Sequence, residues 1–203
     1  MERREFMRTS ALAGADAKAE DDGSQDVRRL LTTLSAEDFW SFSLDFYGKQ
    51  NVAKACLSLQ DRRDADVNLL LLAAYLASKG HVLDDTHLSI ADGMTAGWRA
   101  AVLQQLRQVR RRLPKFAEEV PEEDRKNVKE KILEAELAAE QVAHRLIFKR
   151  LDDAPMPTDG GSVKERAEKN LKLYLRRLVT QGGGPGAPDE RDYGDVSSIV
   201  GAM

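Results

Sequence analysis

Residues 39–80 read FWSFSLDFYGKQNVAKACLSLQDRRDADVNLLLLAAYLASKG, and this stretch decides the fold. It divides into three short segments, each apolar on most sides. The first carries Phe39, Trp40, Phe42, Leu44, Phe46 and Tyr47. So many large side chains cannot all face water from one short helix, so it must be largely covered. Ser35-Ala36-Glu37-Asp38 has a capping-box pattern and starts that helix. Gly48 is expected to end it in the left-handed conformation. A second helix is predicted from Asn51 to Asp61, and a third from Ala65 to Ser78, ending at Gly80. From Leu69 to Ala77 the third is apolar all round, as a helix packed on several sides must be.

Working outward, Asp84 and Asp85 start a further helical region, with a break expected near Asp92-Gly93 or Gly97. Trp98, Val102, Leu106, Val109 and Leu113 then form a stripe at helical spacing, and Pro114 ends it. Pro121 opens the longest helix, to Leu151, with Glu122, Glu123 and Asp124 at its positive end. Val128, Ile132, Ala135, Ala139, Val142 and Leu146 make one seam on it. Leu133, Leu137, Ile147 and Leu151 widen the apolar surface to one side, which implies two neighbours, or a neighbour and a partner. Pro155 to Ser162 reads as a loop. Ser162 to Glu165 is another capping box, leading into a helix with Ala167, Leu171, Tyr174, Leu175 and Leu178. The expected fold is all-α: a compact bundle of about six helices over residues 26–180. Disordered tails are expected at 1–25 and 181–203, the latter on its QGGGPG composition.

The chain has 203 residues, a net charge of −3 and one cysteine, Cys56. This charge gives no global attraction to nucleic acid or anionic membrane. A lone cysteine excludes an internal disulfide and fits a reducing, cytoplasmic setting. Cys56 shares a face with Val52 and Leu59 and reads as a small buried apolar side chain. No run approaches the roughly 18 apolar residues of a membrane span. Arg3-Arg4-Glu5-Phe6-Met7-Arg8 looks like a twin-arginine export motif. The apolar stretch such a signal needs stops at Ala15, and Asp16, Lys18, Glu20, Asp21 and Asp22 follow, which argues against export.

Four groups of residues carry potential chemistry. Gln60, Asp61, Asp66 and Asn68, with Asp64, form a polar wedge between the second and third helices. Its aspartates are a possible Mg²⁺ site, but the second acidic motif this needs would have to be Asp84-Asp85 or Asp152-Asp153, and the spacing fits poorly. Helix capping and buried hydrogen bonding explain the wedge better. His81, Asp84, Asp85 and His87 have no recognised ligand spacing. Glu136, Glu140 and His144 recur at i, i+4 and i+8 on the long helix. Helix-bundle metal sites use Glu-x-x-His pairs, so a polar strip bonded to arginines of a neighbouring helix is the expected reading. Arg99, Arg107, Arg110 and Arg111, extended by Arg112 and Lys115, form the one dense basic arc. It is a candidate phosphate or partner contact, an exposed charged face, or a face paired with the acidic start of the long helix. Phosphate-loop, serine-elbow and CxxC motifs are missing. No cofactor and no metal are expected.

The segment from Phe39 to Gly80 resembles an uncharacterised bacterial all-helical family, domain of unknown function 2390. The resemblance is carried by Cys56-Leu57-Ser58-Leu59-Gln60-Asp61, Asp66-Val67-Asn68 and Leu69 to Leu72. Trp98-Arg99, Arg110 to Leu113, Glu136 to Glu140, Asn170-Leu171 and Tyr174-Leu175 add to it. It spans Ser35 to Leu178 and is looser after Pro121; both tails depart from it. It implies a small helical cytoplasmic protein and brings no activity.

The leading expectation is a non-enzymatic module, adaptor or regulatory, that binds another protein through the long helix and the basic arc. One alternative is an enzyme or hydrophobic-ligand binder with Gln60, Asp61, Asp66 and Asn68 at the mouth of a cavity. Another is nucleic-acid association through Arg99 to Lys115. No membrane partner is expected.

Overall fold

The computed structural model describes residues 34–151, 155–181 and 187–203, and these are all-helical, with no β-strand among them. The expected tail at 1–25 and the Asp152-Asp153 pair lie outside the described residues. Ser35 opens α1 (Ala36–Tyr47): its hydroxyl accepts the Asp38 amide at 3.0 Å. This helix buries Phe39, Ser43, Phe46 and Tyr47, one face at helical spacing. Gly48 departs from expectation. Its φ is −71°, and the left-handed residue is Asn51, φ 67°, at the head of α2 (Val52–Arg63). Asparagine tolerates that region, so the chain reverses three residues later than the glycine suggested. Asp64, φ 54°, ends α2 in the same way.

Helix α3 (Val67–Ser78) is the centre. Every residue from Val67 to Ala77 is buried, and α7, α1, α2 and α6 pack around it. At about 1.5–3 kcal/mol for each buried large aliphatic side chain, its leucines are a main source of stability. Gly80, φ 92°, closes its end. Next comes α4 (Asp85–Trp98), capped by the Asp84 carboxylate. Gly93 and Gly97 do not break it. Instead a π turn over Arg99–Leu103 joins it to α5 (Gln104–Arg112), and Pro114 lies in the 3₁₀ turn Leu113–Phe116 that follows. Helix α6 (Glu122–Leu151) runs back beside α4 and α5. Its second half buries Leu133, Leu137, Ala139, Ala143, Ile147 and Leu151, whereas nearly all of 122–131 is exposed. Thus α5, the 3₁₀ turn and the start of α6 form a hairpin standing off the main core. A small separate cluster holds its base: Leu103, Ala139 and Ala143, backed by Trp98, Val102 and Leu106.

Helix α7 (Val163–Gln181) begins at the expected Ser162/Glu165 box. The C-terminal expectation needs correction. Glu190–Gly201 is a helix, α8, packed on α2 and α7 with Val196 and Ile199 buried. Asp189 and Asp192 form a reciprocal capping box at its head. Two apolar residues at i, i+3 spacing behind a capping aspartate outweigh the glycine-rich run before them.

Candidate functional site

The polar wedge does not converge on one point. Asp66 and Asn68 are inside, 5% and 2% exposed, while Asp61 is exposed and Gln60 half-buried. Asp66 caps α3 by accepting the Asn68 amide at 2.9 Å. Its other oxygen accepts Arg99 Nη1 at 2.7 Å, and its own amide donates to the Tyr174 hydroxyl at 2.8 Å. Arg99 Nη2 reaches Asp92 at 2.9 Å. Asp66 therefore ties together α3 and the π turn through its carboxylate, α4 through Arg99, and α7 through its backbone amide. Burial alone would weaken the charge on Arg99, but Asp66 and Asp92 outweigh it and raise its pKa above the ordinary guanidinium value. Burial pushes the Tyr174 hydroxyl up too, with the Asp66 charge adding to it, so it stays protonated.

Next to this, Asn68 Oδ1 lies 3.2 Å from Nε2 of His144. The imidazole stacks on Phe39, centroids 4.0 Å apart, and meets Trp40 edge-on. Asn68 Nδ2 is buried and has no hydrogen-bond partner among the described residues. The surroundings are Phe39, Tyr75 and Phe148, so the amide and imidazole sit in a packed aromatic layer. The other amide of this kind was harder to see in the sequence. Asn170, 0% exposed, accepts the Leu83 amide at 2.7 Å and donates to the carbonyls of Ala73 and His81. It pins α7 to the end of α3.

The basic arc splits. Arg99 belongs to the junction. Arg110 binds Glu136 through two hydrogen bonds, 2.7 and 3.2 Å, and Arg107 binds Glu140 at 3.2 Å. Both glutamates are buried, 2% and 1% exposed, so the strip on α6 is bonded to arginines of α5 as its spacing implied. Arg111 is different: its side chain is 63% exposed and lies 3.9 Å from Asp61. Of the His81/Asp84/Asp85/His87 set, Asp84 accepts both the backbone amide and Nδ1 of His87. No group of three or more His, Cys, Asp or Glu side chains placed to hold a metal ion occurs among the described residues.

A second set of ion pairs was not anticipated. Arg62 and Arg63, at the end of α2, hold Asp192 and Asp195 of α8 and its N-cap residue Asp189. Arg62 Nη1 lies 2.5 Å and Arg63 Nη2 2.6 Å from Asp192, whose side chain is 0% exposed. Arg62 Nη2 adds Asp195 at 2.6 Å. Burial would raise the Asp192 pKa, but Arg63, the Asp189 amide and Arg62 together hold it below the usual carboxylate value. The Arg62-Arg63 doublet was visible, but its partners lay in a segment read as a tail.

On the surface, two adjoining depressions of about 640 and 730 Å³ lie between α2 and α5. Gln60, Asp61, Arg62, Arg107 and Arg111 line both, making one trough. Outside it, large apolar side chains are exposed on the hairpin: Val109 at 49%, Phe116 at 50% and Val128 at 45%.

No helix among the described residues is long and apolar enough to cross a membrane. No curated protein and no solved structure matches the chain. A family model described as a protein of unknown function (DUF2390) matches residues 38–147, more than half of the chain, and the chain belongs to that family.

Proposed function

We propose that this member of the DUF2390 family is a non-enzymatic module that docks another protein through the hairpin of α5 and α6. One observation carries the reading. Of the five large apolar side chains exposed among the described residues, Val109, Phe116 and Val128 all lie on that hairpin. Single exposed apolar residues need no explanation. Their concentration on an arm that contributes little to the main core fits a contact surface.

The alternatives draw less support. A catalytic or ligand site at Gln60, Asp61, Asp66 and Asn68 needs these groups to meet at a cavity, and two of them are buried in packed side chains while Asp61 is outside. Nucleic-acid association through the basic arc is weakened because Arg99, Arg107 and Arg110 are engaged by buried carboxylates, which leaves only Arg111, Arg112 and Lys115 of the arc exposed. A reducing cytoplasmic setting agrees with the single cysteine, Cys56, which is buried and in no disulfide.

The test is a Val109→Ser/Phe116→Ser/Val128→Ser variant. Tagged wild-type protein, captured from its native cell and analysed by quantitative mass spectrometry, is expected to bring down a partner that the variant loses. The circular dichroism of the two should coincide. Recovery of the same proteins by both would overturn the reading.

A further inference from the structure

We propose that the trough between α2 and α5 takes an acidic segment of a protein partner that also carries apolar side chains. The proposal rests on the reading of the chain as a protein-binding module and adds the chemistry of the partner.

Charge is the first argument. The chain as a whole is acidic, at −3, yet the larger depression is rimmed by Lys54, Arg111, Lys129 and Arg191, all exposed, against a single lining acid, Asp61. Lys54, Lys129 and Arg191 make no ion pair with any described residue, and Arg111 has only the loose contact to Asp61. Exposed cations of one sign around a concavity raise the local concentration of an anionic partner and steer its approach. Arg62, Arg107 and Arg110 lie deeper, already bound to Asp192, Glu140 and Glu136. They fix the walls and leave the rim charges unanswered.

The second argument is the apolar wall. Leu57 is 40% exposed and faces this depression from α2 with half-buried Ala53 beside it, over a floor that includes the buried Tyr47 and Leu133. A purely anionic ligand has no use for that wall. A polypeptide with alternating carboxylate and apolar side chains fills both parts, as acidic and amphipathic segments do in charged grooves. Nucleic acid fits less well. The one aromatic residue lining the larger depression, Tyr47, is 2% exposed, so no ring is presented for base stacking. The two depressions share five residues along their common edge, so an extended occupant has a continuous path.

The probes are a fluorescein-labelled synthetic peptide of repeated Glu-Glu-Leu units, an oligoglutamate of equal length, and a labelled oligothymidylate. Fluorescence anisotropy on the full chain is expected to give affinity in the order Glu-Glu-Leu peptide, oligoglutamate, oligothymidylate, falling with added salt. Arg111→Glu/Lys129→Glu should weaken the peptide by about tenfold or more, with an unchanged thermal melt because both side chains are exposed. Leu57→Asp should bring the Glu-Glu-Leu peptide down to the level of oligoglutamate. No binding of the peptide, binding unaffected by these variants, or equal or tighter binding of oligothymidylate would each overturn the proposal. The hairpin reading fails separately, through the serine variant and partner capture, so either can fall while the other stands.

Discussion

The junction at the head of α3 and the hairpin of α5 and α6 use the same chemistry in different surroundings. Each is an arginine reaching a nearly buried carboxylate: Arg99 to Asp66 in one, Arg110 to Glu136 in the other, both at 2.7 Å. The junction is set in the main core, under Phe39, Tyr75 and the leucines of α3. The hairpin has only the Leu103/Ala139/Ala143 cluster at its base. Environment, not the ion pair, decides what each bond does. In the core the pair is one knot among many packed contacts, and losing half of it strands a charge with nowhere to move. On the hairpin the same pair substitutes for apolar packing that the sequence does not supply, and the arm can relax into water if it is lost.

The largest effect should come from Arg99→Met, which leaves the Asp66 carboxylate, 4% exposed, without its cation. Removing one partner of a buried pair costs about 3–5 kcal/mol. Urea denaturation should show that loss as a fall in midpoint over one cooperative transition. A cost under about 1 kcal/mol would mean that water reaches Asp66, and the contrast between the two regions would collapse. Arg110→Met should cost less, about 1.5–3 kcal/mol, because the hairpin is held by only a small apolar cluster at its base and can open to let water reach Glu136. Its signature is spatial. Hydrogen exchange should rise over 104–132 and stay slow over 67–77. Equal acceleration of both would show that the hairpin and core unfold together.

Asp192 provides a third case, between the first two. Its folded pKa is depressed, so the stability it lends is fully present above the ordinary value of 3.8. That stability is lost as pH falls through the lower folded value. Exchange over 190–201, corrected for the intrinsic rate, should therefore accelerate below pH 3.8, before the amides of α3 do. Asp192→Asn should show the fast exchange already at neutral pH. If α8 exchanges at the rate of α3 throughout, the C-terminal helix is part of the core and not a fastened addition.

How much of this the sequence revealed depends on the range over which each signal acts. The all-apolar run of α3, the Ser35 and Ser162 caps and the aromatic face of α1 are local patterns, and they placed the centre of the fold. Pairing of the Glu136/Glu140 strip with arginines of a neighbouring helix followed from its i, i+4 spacing, whereas the basic arc, expected against the acidic start of α6, proved to supply those arginines further along the helix. Grouping Gln60 and Asp61 with Asp66 and Asn68 failed. Closeness along the chain was taken as closeness in space, and the left-handed turn at Asp64 sends the two halves apart. The Arg62–Asp192 and Asp66–Tyr174 bonds join residues more than a hundred positions apart, where periodicity carries no information. Composition misread α8: three consecutive glycines and a proline drew attention from the Asp189 cap and the Val196/Ile199 pair behind it.

The smallest stability effect is the one that bears most on function. Val109, Phe116 and Val128 are each close to half exposed, so replacing any one by serine should change stability by no more than about 0.5 kcal/mol, in either direction. Phe39→Leu, in the junction, is the matched control: it removes an aromatic stack on His144 from a side chain that is 0% exposed, and core truncations of this size run to about 1–3 kcal/mol or more. If Phe116→Ser instead costs as much as Phe39→Leu in a urea melt, the side chain is packing the hairpin together, and its exposure is no sign of a partner. A near-zero cost leaves an aromatic ring at the tip of an arm that folding does not require, and an exposed aromatic side chain of that kind gains its free energy only when something else covers it.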